Sequence, residues 1–382
     1  WAVPRFFGCR TGIPENGRGL PEPTLVYQIN RSKLGRMMII SLRAEPSLMA
    51  RYFFVAAAVA TALGSVSTGL AAQQRSGTLV VTNKGANTAS VIDIGSQRIV
   101  ATIPTGNGPH EVAISHDGRW AVTTNYGTQE AGNSLTLIDV QRASGIGTID
   151  LGRYTRPHGA VFLPGDSLLA VTSEATQSLV LVRLPFGEIA RTIATEQDVS
   201  HMVTAVTDGG RAWTSNIRSG TISELDIFSG TLVRIITVPP QPEAIQITPD
   251  GSEVWVGSNQ LGTVSVINAT SGSIEATFEG FSFPYRIAFT EDGSTAVVPD
   301  LRKNEIRIFD RATREELATI RTVGGGPEGV TIVGNRFAYI SLSQRNEVAI
   351  IDLESHSVVG TLPTGNRPDG IGYSPLLTSA EP

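Results

Sequence analysis

Cysteine is nearly missing from this chain of 382 residues: Cys9 is the only one. Beyond it no disulfide, thiolate nucleophile or C-x-x-C-H haem attachment can form, and a cysteine-free chain suits an oxidising compartment. No long amphipathic helical pattern occurs, and the apolar run over residues 52–63 is short of the roughly 20 residues that a membrane span needs. Walker loops, dinucleotide fingerprints, G-x-S-x-G elbows and H-E-x-x-H helices are all missing too. What the chain does have is Gly, Val, Ile and Thr with modest charge, the balance of a mostly β protein.

Residues 1–72 differ from the rest. Residues 1–48 carry no sustained period and read as non-native upstream sequence or a misplaced start. Residues 49–72 have the pattern of a cleaved export signal. Arg51 supplies the basic n-region and residues 52–63 the apolar h-region, while Gly69 and Ala71 suit the −3 and −1 positions of a cleavage site. The expected location is therefore periplasmic or secreted, with no membrane span after cleavage. Residues 1–72 hold 8 Lys/Arg against 3 Asp/Glu, a net of +5 in a chain of −5, which leaves −10 for the remainder. That acidity argues against nucleic acid as a partner.

A residue pair, usually led by proline, precedes a short alternating strand at seven places. They are Pro109-His110, Pro157-His158, Ser200-His201, Pro242-Glu243, Pro284-Tyr285, Pro327-Glu328 and Pro368-Asp369. Successive spacings are 48, 43, 42, 42, 43 and 41 residues, the period of four-stranded propeller blades. Each unit parses as strand a, a tight turn such as Asp117-Gly118 or Asp250-Gly251, then strands b, c and d. Residues 78–103 read as strands b, c and d with no strand a, and the chain ends on an orphan strand a at 368–374. The expectation is an all-β, seven-bladed β-propeller over residues 77–375. Three N-terminal strands plus one C-terminal strand close it, and residues 376–382 form a tail.

The "VVTN" of residues 80–83, "AVTTN" of 121–125, the "SVIDI" and "TLIDV" strands and the "TGNGPHEVAIS" phrase resemble the YVTN repeats of YncE-like β-propellers. Relatives of that type include binding and scaffold proteins, lactonase-like hydrolases, a lyase and cofactor-bearing reductase domains, so the resemblance implies the fold and leaves activity open.

Alternating strand directions bring the d-to-a and b-to-c loops to one face, with strand a innermost. The topology thus collects His110, His158, His201, Glu243, Tyr285, Glu328 and Asp369 in one ring at the mouth of the central channel. Imidazoles and carboxylates ligate Zn, Cu, Ni or Fe(II), which makes His110, His158, His201 and Glu243 the candidate metal set. The same ring could instead hold an organic or anionic ligand through Tyr285, Arg286 and Asp369, joined by Asn125, Asn216 and Arg302 from the b-to-c loops. A third reading leaves these as solvated polar positions inherited from a common repeat. Basic residues of this face, Arg302 and Arg367 among them, either balance Glu111, Glu130, Glu243 and Glu328 or steer an anion inward. The Asn residues ending strand b, and Asp93, Asp139, Asp226, Asp310 and Asp352 ending strand c, fit turn roles. His116 and His356 lie in turns of the far face and receive no role.

Two functions of different class follow. One is an exported, monomeric binding or scaffold propeller that holds a metal or small ligand, with room for a protein partner. The other is a metal-dependent lactonase-like hydrolase or lyase, in which Glu243 or Glu328 moves protons. DNA binding is a weaker third option, opposed by the acidic charge.

Overall fold

The computed structural model describes residues 75–379, so the expectations for residues 1–48 and 49–72 lie outside the described residues. Among the described residues there are seven sheets, each of four antiparallel strands, set in a ring. Blades 1 to 6 are continuous in sequence. Their inner strands begin at residues 109, 157, 200, 242, 288 and 327. Blade 7 sets Pro368–Ser374 innermost, followed outward by Thr78–Asn83, Thr88–Asp93 and Arg98–Pro104. The expected closure is therefore the observed one.

Burial explains the strand chemistry. In blade 3 the middle strand Arg211–Asn216 is buried from Ala212 onward, because blades cover both of its faces. The outermost strand Thr231–Thr237 alternates between exposed and half-buried residues, as an edge facing solvent on one side must. Apolar cores form between blades: Val122, Leu135 and Leu137 of blade 1 pack on Phe162, Val171 and Val180 of blade 2. Each such side chain contributes roughly 1.5–3 kcal/mol by leaving water.

A defect in the innermost strand creates the site. Pro109 pairs with Asn125 and Val112 with Thr123, so His110 and Glu111 together face Thr124 alone. This is a β-bulge, and it recurs at the same point in blades 2, 3, 4, 6 and 7. The residue before each bulged strand has positive φ: Gly108, Arg156, Val199, Gln241, Gly326 and Arg367 all lie between 54° and 59°. Strict alternation would return every second side chain to a blade face. The bulge breaks that alternation, and in blade 1 it lets both His110 and Glu111 face the channel. Blade 5 departs furthest: only Pro284 and Ala288–Phe289 pair, which leaves Tyr285 and Arg286 off the ladder.

Inner strands approach one another closely. A Cβ on Gly370 would collide with His110 O and the Glu111 backbone, and one on Gly159 would meet Met202 Cα. Hydroxyls of strand b then bridge to the next blade at the ring position. Thr82 Oγ1 donates to His110 O at 2.7 Å, Thr172 Oγ1 to His201 O at 2.6 Å, and Ser215 Oγ to Glu243 O at 3.1 Å.

Candidate metal centre

The seven ring residues do converge, but they are buried rather than solvated: none of their side chains retains more than a small fraction of its surface. They fill the channel. His110 Nδ1 lies 2.9 Å from Asp369 Oδ2, and Tyr285 donates its hydroxyl to Asp369 Oδ1 at 3.1 Å. The rings of His110, His158 and His201 stack in a column, with centroids 4.7 and 3.6 Å apart. His201 Nε2 meets Glu243 Oε1 at 2.8 Å. Arg286 donates to Glu111 on the far wall and lies 3.4 Å from Glu243.

A second tier of side chains comes from the end of strand b: Lys84, Glu174 and Asn259 directly follow it, and Tyr126 lies near the end of the longer strand b of blade 1. Lys84 reaches Asp369 at 3.4 Å, and Asn259 Nδ2 donates to Glu243 Oε2 at 3.1 Å. Tyr126 packs its ring 4.7 Å from that of His110 and donates its hydroxyl to Glu174 Oε2 at 2.6 Å. Glu174 opens a single 3₁₀ turn, Glu174–Thr176, and its Oε1 lies 2.5 Å from His201 Nδ1. Sequence reasoning missed Tyr126 and Glu174. Registering the repeats one residue past the position that Asn83, Asn125 and Asn216 share would have aligned Lys84, Tyr126, Glu174, Ile217, Asn259, Leu301 and Ser343, five of which are polar.

Among the described residues one group of metal-ligating side chains is close enough to share an ion: His158, Glu174 and His201, with ligand atoms all within 4.8 Å of one another. This grouping differs from the expected set of His110, His158, His201 and Glu243. His110 is turned toward Asp369, and Glu243 contacts the far nitrogen of His201. His158 Nδ1 is buried without a hydrogen-bond partner, an unusual state for a buried polar atom.

Electrostatics differ from one imidazole to the next. Burial, reinforced by His201 and His110, holds His158 well below its ordinary pKa, so it is neutral. Burial also opposes charge on His201, but Glu243 and Glu174 outweigh it and raise the group to about 9. Burial works against ionised Glu243, yet His201 and Arg286 hold it down to about 2. Glu328 behaves oppositely: burial and the adjacent Asp369 charge push it up to about 8. Asp369 lies below the usual range despite its burial, held there by Lys84 and His110.

No family model and no curated protein matches the chain. Solved structures do. Hydrazine synthase of Kuenenia stuttgartiensis aligns with a TM-score of 0.61 at 19% identity, covering 68% of this chain and 88% of that one. A functionally unknown protein from Desulfotomaculum acetoxidans DSM 771 aligns with a TM-score of 0.66 at 16% identity, covering 79% of this chain and 100% of that one. Identities this low speak for the fold alone.

The remaining candidates lie away from the channel. Asn125 accepts from Gly106 N at 3.0 Å and donates to Ser134 and Thr136. Asn216 donates to Thr221 and Ser223 and accepts from Ser200. Both are buried fasteners between a blade and its own loop, so they offer nothing to a ligand. Arg302 is exposed, with its guanidinium 4.5 Å from the Phe283 ring centre. The strand-c aspartates cap turns, as Asp93 does for Ser96 N at 2.6 Å and Asp139 for Arg142 N at 2.9 Å. His116 pairs with Asp166 at 2.7 Å on the far face, linking blades 1 and 2.

Proposed function

We propose that this protein is a metal-binding seven-bladed propeller, holding one divalent transition-metal ion on His158, Glu174 and His201. The observation that carries this is the buried cluster with ligand atoms within 4.8 Å, in which His158 Nδ1 has no other partner. Two imidazoles and a carboxylate suit Zn, Cu, Ni or Fe(II), and three protein ligands leave a further position open. Glu243, hydrogen-bonded to His201, would orient that imidazole from outside, as partners of ligating histidines do. Loading displaces the proton that joins His201 to Glu174.

In this reading the protein belongs with the YVTN-repeat propellers it resembles and acts as a monomeric binding or scaffold protein. The signal-like pattern of residues 49–72 and the cysteine-free remainder support a place in the periplasm or outside the cell. The acidic charge supports a metal or small molecule, rather than nucleic acid, as the partner. A hydrolase reading has one observation of its own: Glu328 retains its proton near neutral pH and borders an open cavity, as a general acid requires.

Elemental analysis of untagged protein tests the metal. Stoichiometric metal, lost in the Glu174→Ala and His158→Ala variants, is the expected result. Absence of metal after incubation with Zn, Cu, Ni and Fe(II) salts would overturn it. A lactone-hydrolysis panel with and without chelator then separates enzyme from binder.

A further inference from the structure

The half of the loop face opposite the histidines holds a different feature. A cavity of about 790 Å³ opens between blades 5, 6 and 7 and descends to Glu328. That volume is in the range of small-molecule sites. Its wall is polar apart from Leu301, and it carries two arginines that form no ion pair with a described carboxylate.

These two, Arg302 and Arg367, are both exposed. Arg286, Arg307, Arg311 and Arg336, by contrast, each pair with Glu or Asp. What sets Arg302 and Arg367 apart from other unpaired arginines such as Arg218 is that both face one cavity. Two of the three asparagines of the wall, Asn304 and Asn346, are oriented by the backbone. Asn304 Oδ1 accepts from Gly326 N at 2.8 Å, and Asn346 Oδ1 accepts from Arg367 N at 2.8 Å. With both oxygens occupied, each amide presents its NH₂ group as the free end. The one carboxyl of the lining, Glu328, is buried against Asp369 and keeps its proton near neutral pH, so it puts no negative charge at the floor.

We infer that this cavity is a binding site for a small oxyanion bearing two or more negative charges, which Arg302 and Arg367 grip and the Asn304 and Asn346 amides orient. Planar guanidinium forks match the paired oxygens of carboxylate and phosphate alike. The shared chemistry is therefore an organic di- or tricarboxylate or a phosphate ester. Burial of one arginine–oxyanion pair at such a site is worth about a tenfold change in affinity or more. The inference does not depend on the metal, whose proposed ligands lie on blades 2 and 3.

Isothermal titration calorimetry on full-length protein, stripped of metal on a chelating resin and held at low salt, tests it. Citrate and glycerol 3-phosphate serve as the carboxylate and phosphate probes, and glycerol as the uncharged control. At least one anion should bind while glycerol gives no heat, and the stronger anion identifies the ligand class. Arg302→Gln and Arg367→Asn should each weaken binding about tenfold. Asparagine is chosen at 367 because it tolerates the local φ of 54°. Arg218→Gln, an exposed arginine of blade 3 on the same face, should leave affinity unchanged. Failure of both anions to bind, or equal weakening in the Arg218 variant, would overturn the inference. So would anion binding that survives both cavity substitutions.

Discussion

Arg286 and Glu111 are 175 residues apart and meet as a buried ion pair across the central channel. Glu111 occupies the extra position of the bulge in blade 1 and Arg286 the unpaired stretch of the inner strand in blade 5, so two local irregularities combine into one long-range bond. Arg286 also approaches Glu243, which ties the plug to the histidine column.

Removing the cation alone should be costly. Arg286→Met strands the Glu111 carboxylate in the interior, while Glu243 keeps His201 and Asn259, and a loss of about 3–5 kcal/mol is expected. Adding Glu111→Leu should restore part of it, because the pair then leaves no orphan. Urea unfolding of the two variants checks this. A double variant no more stable than the single one would show that the pair matters through something other than its uncompensated charge.

Glu328 should make stability depend on pH in the direction opposite to most carboxylates. Its folded pKa of about 8 exceeds the ordinary 4.5, so the folded state binds the extra proton between those values. The contribution is present in full below about pH 4.5 and is lost as pH rises through 8. Glu328→Gln should flatten this slope and gain about 2 kcal/mol over the parent at pH 8. Melting temperatures of the two proteins from pH 5 to 9 are the measurement, and parallel curves would count against the assignment.

Metal occupancy should separate the observed ligand set from the one legible in sequence. Glu174→Ala should empty the site, while Glu243→Gln should lower affinity about 10- to 100-fold, the usual scale for a residue that orients a ligand. His110→Ala should retain the ion, since that imidazole is committed to Asp369. Metal-to-protein ratios after dialysis decide among the three.

Val199 carries local strain. It is a β-branched residue at φ 59°, in a position where the other bulged blades place Gly, Arg or Gln. Val199→Asn should raise stability by about 0.5–1.5 kcal/mol, with the metal ratio unchanged. A fall in the melting temperature would mean that packing of the valine outweighs its backbone cost.

Two glycines offer a matched contrast. Gly370→Ala drives a methyl into the His110–Glu111 backbone and should cost about 1–3 kcal/mol. Gly147, on an outer strand, has nothing near its absent Cβ, so Gly147→Ala should be neutral to slightly stabilising. Equal effects would contradict the close approach of the inner strands.

The fold was legible because a propeller repeats itself. The 41- to 48-residue spacing and the turn glycines recur in nearly every unit, and the orphan strands at the two ends imply closure. The membership of the ring was legible for the same reason: His110 and Asp369 share a repeat position, and topology brings equal positions to one axis. Its interior was not. Whether an imidazole faces a neighbouring imidazole, as His158 faces His201, or a carboxylate, as His110 faces Asp369, depends on rotamers and on loop residues. Glu174 enters from a single 3₁₀ turn and Tyr126 from an extended strand b, so their repeat position is legible in the sequence but their contacts are not.

The sequence by itself therefore determined the number of blades, the closing sheet and the set of strands that meet at the axis, because these follow from periodic burial. Only the tertiary structure decided that the axis is filled rather than open. It also decided that Glu174 joins His158 and His201, and that Arg302 and Arg367 remain unpaired around a cavity. The physical reason is distance: a hydrogen bond or ion pair is won or lost over an ångström or so. The bulge, the left-handed residue before it and the single 3₁₀ turn set such distances here. The first two recur with the blades, but the residue before the bulge varies among Gly, Arg, Gln and Val, so its type does not announce the geometry.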